Sequence, residues 1–149
     1  DRRSVYQFFT GDFISRCICL VFFLVFPTTN TRPVITGGGL WNQAALWLYS
    51  IDAADNLFPS IHCLVSWFCY LGIRGRKEIP CWYQRVSMVI AILVFASTLL
   101  TKQHVIVDVA GGILLAELCF FIGKKTDLYR IYERFGSRIE QKICELTEG

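Results

Sequence analysis

The chain has 149 residues, of which 54% are hydrophobic, 15% aromatic and only 18% charged. This is too apolar for an ordinary water-soluble domain and too short for two, so one membrane domain is the natural class. The net charge of +3 does not make it a nucleic-acid binder, because the basic residues are spread over several loops and the tail rather than gathered into one stripe.

The first residue is Asp1, and an apolar segment begins almost at once, which is the expectation for a piece of a longer protein with further amino-terminal spans. That segment runs to Phe26 and is the first span candidate. Asp12 and Arg16, at i and i+4, can pair near its start, and the helix breakers from Pro27 to Pro33 end it. After Gly37-Gly38-Gly39, the indoles and small residues from Trp41 to Tyr49 suit a short helix lying in the headgroup region, not a span. Pro59-Ser60-Ile61-His62 then opens an apolar helix over Cys63 to Ile73, shorter than the ~20 residues of a full crossing.

A polar turn from Arg74 to Pro80 leads to two further spans, Val86 to Leu100 and His104 to Ile122. Gly111-Gly112 in the last one lets a neighbouring helix approach closely. Lys124-Lys125 stops it, and residues 126–149 read as a charged amphipathic tail helix. The expected organisation is therefore an all-α, polytopic transmembrane helix bundle, with a membrane-embedded domain over 1–125 and a cytoplasmic tail over 126–149. Seven cysteines is an odd number. Cys17, Cys19, Cys63, Cys69 and Cys119 fall in apolar runs without ligand-like spacing, so they read as packing residues rather than as disulfides or metal ligands.

Loop charges give an orientation. Arg74, Arg76, Lys77 and Arg85 crowd one loop and Lys124, Lys125 and Arg130 follow the last span, so by the positive-inside rule these are cytoplasmic. The bends at Arg32 to His62 and at Thr101 to His104 then share the outer face, which brings Arg32, Ser60, His62, Lys102 and His104 to one side from three separate stretches.

Residue types suggest a chemistry there. On a helix His104 and Asp108 would share a face, so the carboxylate could accept the Nδ1 proton and leave Nε2 free to attack. His62 is the candidate proton donor to a departing oxygen. The helix start at Ser60 offers unpaired N–H groups to an anion, and Arg32 and Lys102 add full charges that would stabilise phosphoryl oxygens. If the helix were continuous, Ser97, Thr101, His104 and Asp108 would form one stripe, within which Ser97 could hydrogen-bond. Ionisable groups in so apolar a setting are functional by default.

Three blocks carry a resemblance: Pro27-Thr28 with Arg32-Pro33, Asn56-Leu57-Phe58-Pro59-Ser60-Ile61-His62, and Ser97-Thr98 through Lys102-Gln103-His104 to Asp108. Together they resemble the signature of the type 2 phosphatidic acid phosphatase superfamily, which also contains the vanadium haloperoxidases, over roughly residues 20 to 123. The resemblance implies a fragment of a six-span helical membrane protein, with its site facing away from the cytoplasm and no metal or other cofactor. It also implies that His104 is the phospho-accepting nucleophile, Asp108 its orienting partner, His62 the general acid and Arg32 a phosphate ligand.

The chain departs from the family pattern at three places. Val25 stands where the first block usually has Lys, Ile61 replaces the Gly of the second block, and Thr98 stands where an Arg normally follows the Ser. Lys102 is the candidate substitute for the lost cations. The reduced pattern of two His and one Asp is also similar to the inositol phosphorylceramide and sphingomyelin synthases. The expected function is an integral membrane lipid phosphate or diphosphate phosphatase acting through a phosphohistidine at the outer face of the plasma membrane. A lipid phosphotransferase and a catalytically inactive membrane scaffold are the alternatives. The expected partners are a lipid phosphate substrate and membrane lipids; the oligomeric state is not legible.

Overall fold

The first helix, α1 (Arg2–Val25), runs without interruption up to the segment that Pro27 makes non-helical. In the computed structural model, which describes residues 2–52, 55–134 and 136–138, it is followed by α2 (Leu40–Ile51), α3 (Ile61–Ile73), α4 (Cys81–Leu100) and α5 (Ile106–Lys125). The protein is an all-α helix bundle with no strand among the described residues. Three helices, α1, α4 and α5, are long and apolar enough to cross a membrane. The 13-residue α3 spans only about 20 Å at 1.5 Å per residue.

The bundle is built around α5, which packs against α1 and α3, while α4 packs against α3. Leu64, Phe68 and Leu71 of α3 are fully buried and meet Cys19, Ala116, Cys119 and Phe120. Phe68 makes edge-on ring contacts with Phe8 and Phe120, at centroid distances of 5.1 and 5.7 Å. Close approach of α1 to α5 depends on Gly11, where an added Cβ would lie 2.8 Å from the carbonyl oxygen of Cys119. Cys19, Cys63 and Cys119 are buried packing residues, whereas Cys17 and Cys69 are exposed on the outer surface. Leu24, Leu93 and Leu114 also face outward, as side chains do where lipid is the solvent.

Charged residues tie the bundle at its edges. The expected Asp12–Arg16 pair forms at 2.8 Å. Glu117 of α5 accepts from the Trp67 indole at 3.1 Å and from both terminal nitrogens of Arg74, at 2.9 and 3.2 Å, which joins α5 to the far end of α3. The indoles of α2 lie outside the core: Trp41 and Trp47 are exposed, and the helix buries none of its residues.

Two boundaries differ from the sequence reading. α4 starts at Cys81, immediately after Pro80, because proline fits the start of a helix. α5 starts at Ile106, not at His104, because residues 101–105 form a turn in which Lys102 takes a positive φ of 54°. Beyond α5, residues 129–134 are helical again, with Tyr129 buried and Tyr132 edge-on to Phe13 of α1. Residues 139–149 of the expected tail helix lie outside the described residues.

Candidate active site

The end of α4 and the start of α5 form a tight hook. The carbonyl of Thr98 accepts two backbone N–H groups, from Gln103 at 3.0 Å and from His104 at 3.2 Å. The turn thereby folds back on its own helix, and His104 is carried by the turn, ahead of α5. Asp108, in the first turn of α5, accepts the backbone N–H of Val105 at 2.9 Å. Valine has no side-chain acceptor to return, so only the acidic half of a capping box exists here. The His104 Nδ1 lies 3.5 Å from the same Asp108 oxygen. The two residues therefore meet, but not as neighbours on one helical face: the carboxylate reaches back from the helix to the turn that precedes it.

The second histidine comes from α3. Ser60 caps this helix, its hydroxyl accepting from the Cys63 N–H at 3.4 Å, and its own N–H donates to the carbonyl of Asp108 at 3.1 Å. The start of α3 is thus bonded to the start of α5. Gly112 permits this contact, since a Cβ there would lie 2.6 Å from the Ser60 carbonyl oxygen. In the first turn of α3, His62 places its Nδ1 3.4 Å from the Nε2 of His104. His62 is exposed, whereas His104 and Asp108 are buried. Burial lowers the His104 pKa below its ordinary value; the charge of Asp108 opposes this and the neighbouring His62 adds to it.

A cavity of about 250 Å³ opens over the two imidazoles, with Asp52 and Asp55 on its wall beside the apolar Phe23 and Leu57. Thr28 closes one side of the loop before α3, its hydroxyl accepting from the backbone N–H groups of Leu57 and Phe58.

The other expected ligands are arranged differently. Arg32 donates to the carbonyls of Tyr49 and Asp52 and pairs with the Asp52 carboxylate at 2.9 Å, with its guanidinium 4.7 Å above the Tyr49 ring centroid. It holds the carboxyl end of α2 and does not line the cavity. Lys102 is exposed, and its backbone carbonyl accepts from Asn30. Ser97 is exposed, and its carbonyl accepts the N–H and hydroxyl of Thr101. The stripe expected of a continuous helix is broken by the turn, and it is Thr98, one position on, that points inward to Cys63 at 3.8 Å.

Sequence reasoning missed two residues. Asp52 accepts from both Arg32 and the Gln103 side chain, the latter at 2.7 Å, and so links the α2 end to the histidine turn. Gln103 sits directly before His104 in a turn where Thr101 and Lys102 are polar as well, so nothing in the sequence marks it out.

A comparison with family models decides the lineage: the PAP2 superfamily model matches residues 1–122. The chain belongs to the PAP2 superfamily. This is a phosphatase-type superfamily, and its match covers α1 to α4 and α5 up to Ile122. No curated protein and no solved structure matches the chain. With three membrane-length apolar helices, this PAP2 superfamily member is a membrane protein.

Proposed function

We propose that this chain is an integral membrane phosphatase that cleaves a lipid phosphate or diphosphate through a phosphohistidine on His104. The observation that carries the reading is the opposition of His62 Nδ1 and His104 Nε2 across 3.4 Å, with Asp108 behind His104 on the Nδ1 side. A proton on Nδ1, facing the carboxylate, leaves the Nε2 lone pair on the side of His62 and open to phosphorus once that ring moves. That lone pair forms the N–P bond as the bond from phosphorus to the lipid oxygen breaks, and His62 gives the departing oxygen its proton. Water then attacks the phosphohistidine, returns a proton to His62 and frees phosphate. The helix start at Ser60 contributes the positive end of a dipole beside the reacting group.

Orientation follows from charge. The basic turn at Arg74 to Lys77 and Lys124-Lys125 lie at the bundle end away from the histidines, and the positive-inside rule places that end in the cytoplasm. The site then faces outward, at the plasma membrane. The chain divides into the membrane domain over 1–125 and a tail over 126–149.

One observation favours a second reading, transfer of a phosphorylated head group to a lipid alcohol. Asp52 and Asp55 lie on the cavity wall and, among the described residues, no Lys or Arg does, so a phosphodiester with one negative charge meets less repulsion there than a doubly charged monoester. The test is phosphate release from short-chain phosphatidic acid, phosphatidylglycerol phosphate, undecaprenyl diphosphate and sphingoid phosphates by purified protein, with and without chelator. Release that His104→Gln abolishes supports hydrolysis. Turnover only after a lipid alcohol is added supports transfer. Turnover lost with chelator contradicts the direct phosphohistidine route, and no turnover in the parent protein points to a scaffold.

A further inference from the structure

The end of the bundle opposite the histidines holds a second polar cavity, of about 310 Å³, that the proposed reaction does not use. Its wall brings together Arg74, Arg76 and Lys77 from the turn after α3, Lys124 from the end of α5 and Ser4 from the start of α1. Arg74 is neutralised by Glu117. The other three cations have no ion pair among the described residues. Arg76 is half-buried and uses its Nε on the Gly72 carbonyl at 2.7 Å, which fixes its guanidinium while leaving the charge uncompensated. Lys124 lies over the Phe120 ring at 4.8 Å, and Lys77 is exposed at the rim. Among the described residues Glu78 is the one carboxylate on the wall.

A general excess of basic residues on the cytoplasmic loops would account for a scattered fringe. It does not account for a concave pocket in which the α3–α4 turn and the end of α5 bring three cations without an ion pair among the described residues to one volume. The walls below are apolar, with Leu71 and Phe120 at the base. A cationic pocket between helix ends, floored by apolar side chains at the membrane edge, matches the phosphate of an anionic lipid whose acyl chains run down the bundle surface.

We infer that the cavity between the α3–α4 turn, Lys124 and the start of α1 is a binding site for the phosphate head group of an anionic phospholipid, separate from the site at His104. Arg76 and Lys124 contact the phosphate, and Lys77 closes the rim. The inference stands whether or not the histidine site is a phosphatase.

The test uses the full chain in detergent micelles, with native mass spectrometry counting retained phosphatidylglycerol against phosphatidylcholine. The variants are Arg76→Gln and Lys77→Gln, with Arg85→Gln as the control, since Arg85 belongs to the same basic stretch but does not line the cavity. The charge-preserving Arg76→Lys guards against misfolding. The expected result is preferential retention of phosphatidylglycerol, reduced about fivefold per cation removed, unchanged in Arg85→Gln and largely kept in Arg76→Lys. Equal retention of the two lipids, or an equal loss in Arg85→Gln, overturns the inference. A further arm adds inorganic pyrophosphate: failure to displace the lipid supports a lipid-borne phosphate, and displacement at equimolar pyrophosphate overturns the lipid assignment in favour of a soluble one.

Discussion

His62 Nδ1 and His104 Nε2 face each other at 3.4 Å, one on a helix and exposed, the other in a turn and buried. A phosphorus atom approaching Nε2 to the ~3 Å of a reactive contact needs the space that the His62 ring now fills. The exposed ring is the one free to swing aside, and the proposed acid role requires that it then face the leaving oxygen. His62→Gln should therefore slow turnover of an alkyl phosphate by roughly 10²- to 10⁴-fold and that of p-nitrophenyl phosphate far less, because nitrophenolate leaves without a proton. His104→Gln should abolish both, together with acid-labile phosphate on the protein. Equal losses for the two substrates in His62→Gln would remove His62 as the acid.

Proton linkage at His104 has a definite sign. Its folded-state pKa lies below the ordinary 6.5, chiefly because of burial. As pH falls from neutrality, the unfolded chain takes up a proton near 6.5 that the folded protein still refuses, so stability declines from there down to the lowered pKa. The proposed nucleophile, His104, remains neutral over the same interval. The acid limb of kcat/KM that belongs to His104 should lie below 6.5, and the thermal midpoint should fall over that range less steeply in His104→Gln than in the parent. A limb above 6.5 would contradict the burial of this ring.

One Asp108 oxygen accepts the Val105 N–H and lies 3.5 Å from the His104 Nδ1, without closing a hydrogen bond to that buried atom. Asparagine can still accept from the backbone but lacks the charge that favours the Nδ1 proton. Asp108→Asn should keep its melting temperature and lose roughly 10²- to 10⁴-fold in kcat. Asp108→Ala should lose about 1 kcal/mol of stability as well. Circular-dichroism melts alongside turnover separate the two; matching melts for both variants would deny the capping role.

Arg32 is the place where family resemblance and geometry pull apart. Its side chain is only 10% exposed and is committed to Asp52 and to the carbonyls at the end of α2. Arg32→Ala should lower stability by roughly 2 kcal/mol or more, and Arg32→Lys should not restore it, since an ammonium cannot bridge the carboxylate and both carbonyls. If Arg32→Ala melted like the parent but lost vanadate inhibition, Arg32 would be a phosphate ligand instead.

Lys102 holds a left-handed backbone conformation, with φ of 54°, and its charge stays outside the cavity. Lys102→Gly should retain turnover and match the parent in stability, whereas Lys102→Val should cost about 1–2 kcal/mol because its branched Cβ resists that conformation. Similar loss of turnover in both variants would show that the ammonium itself matters.

The helices were legible because apolar runs bounded by Pro, Gly and Lys announce themselves, and α1, α3 and α5 fall close to where those signals place them. The histidine pair was legible too, as ionisable groups stranded beside apolar spans. What escaped was carried by the backbone. Nothing in residue spacing reveals that Thr98 takes two N–H groups on one carbonyl, so the His104 to Asp108 interval read as a helical face although it is a turn followed by a helix start. Asp52 escaped because its partners, Arg32 and Gln103, are distant in sequence and meet only through the fold.

The hook at residues 101–105 makes the separation between two membrane-length helices act as a ruler. One inserted residue would put the two N–H groups out of register with the Thr98 carbonyl and carry His104 away from Asp108, whose own carbonyl is held by Ser60. Side chains along the hairpin are open to exchange where they face lipid, but the count of residues between α4 and α5 is not.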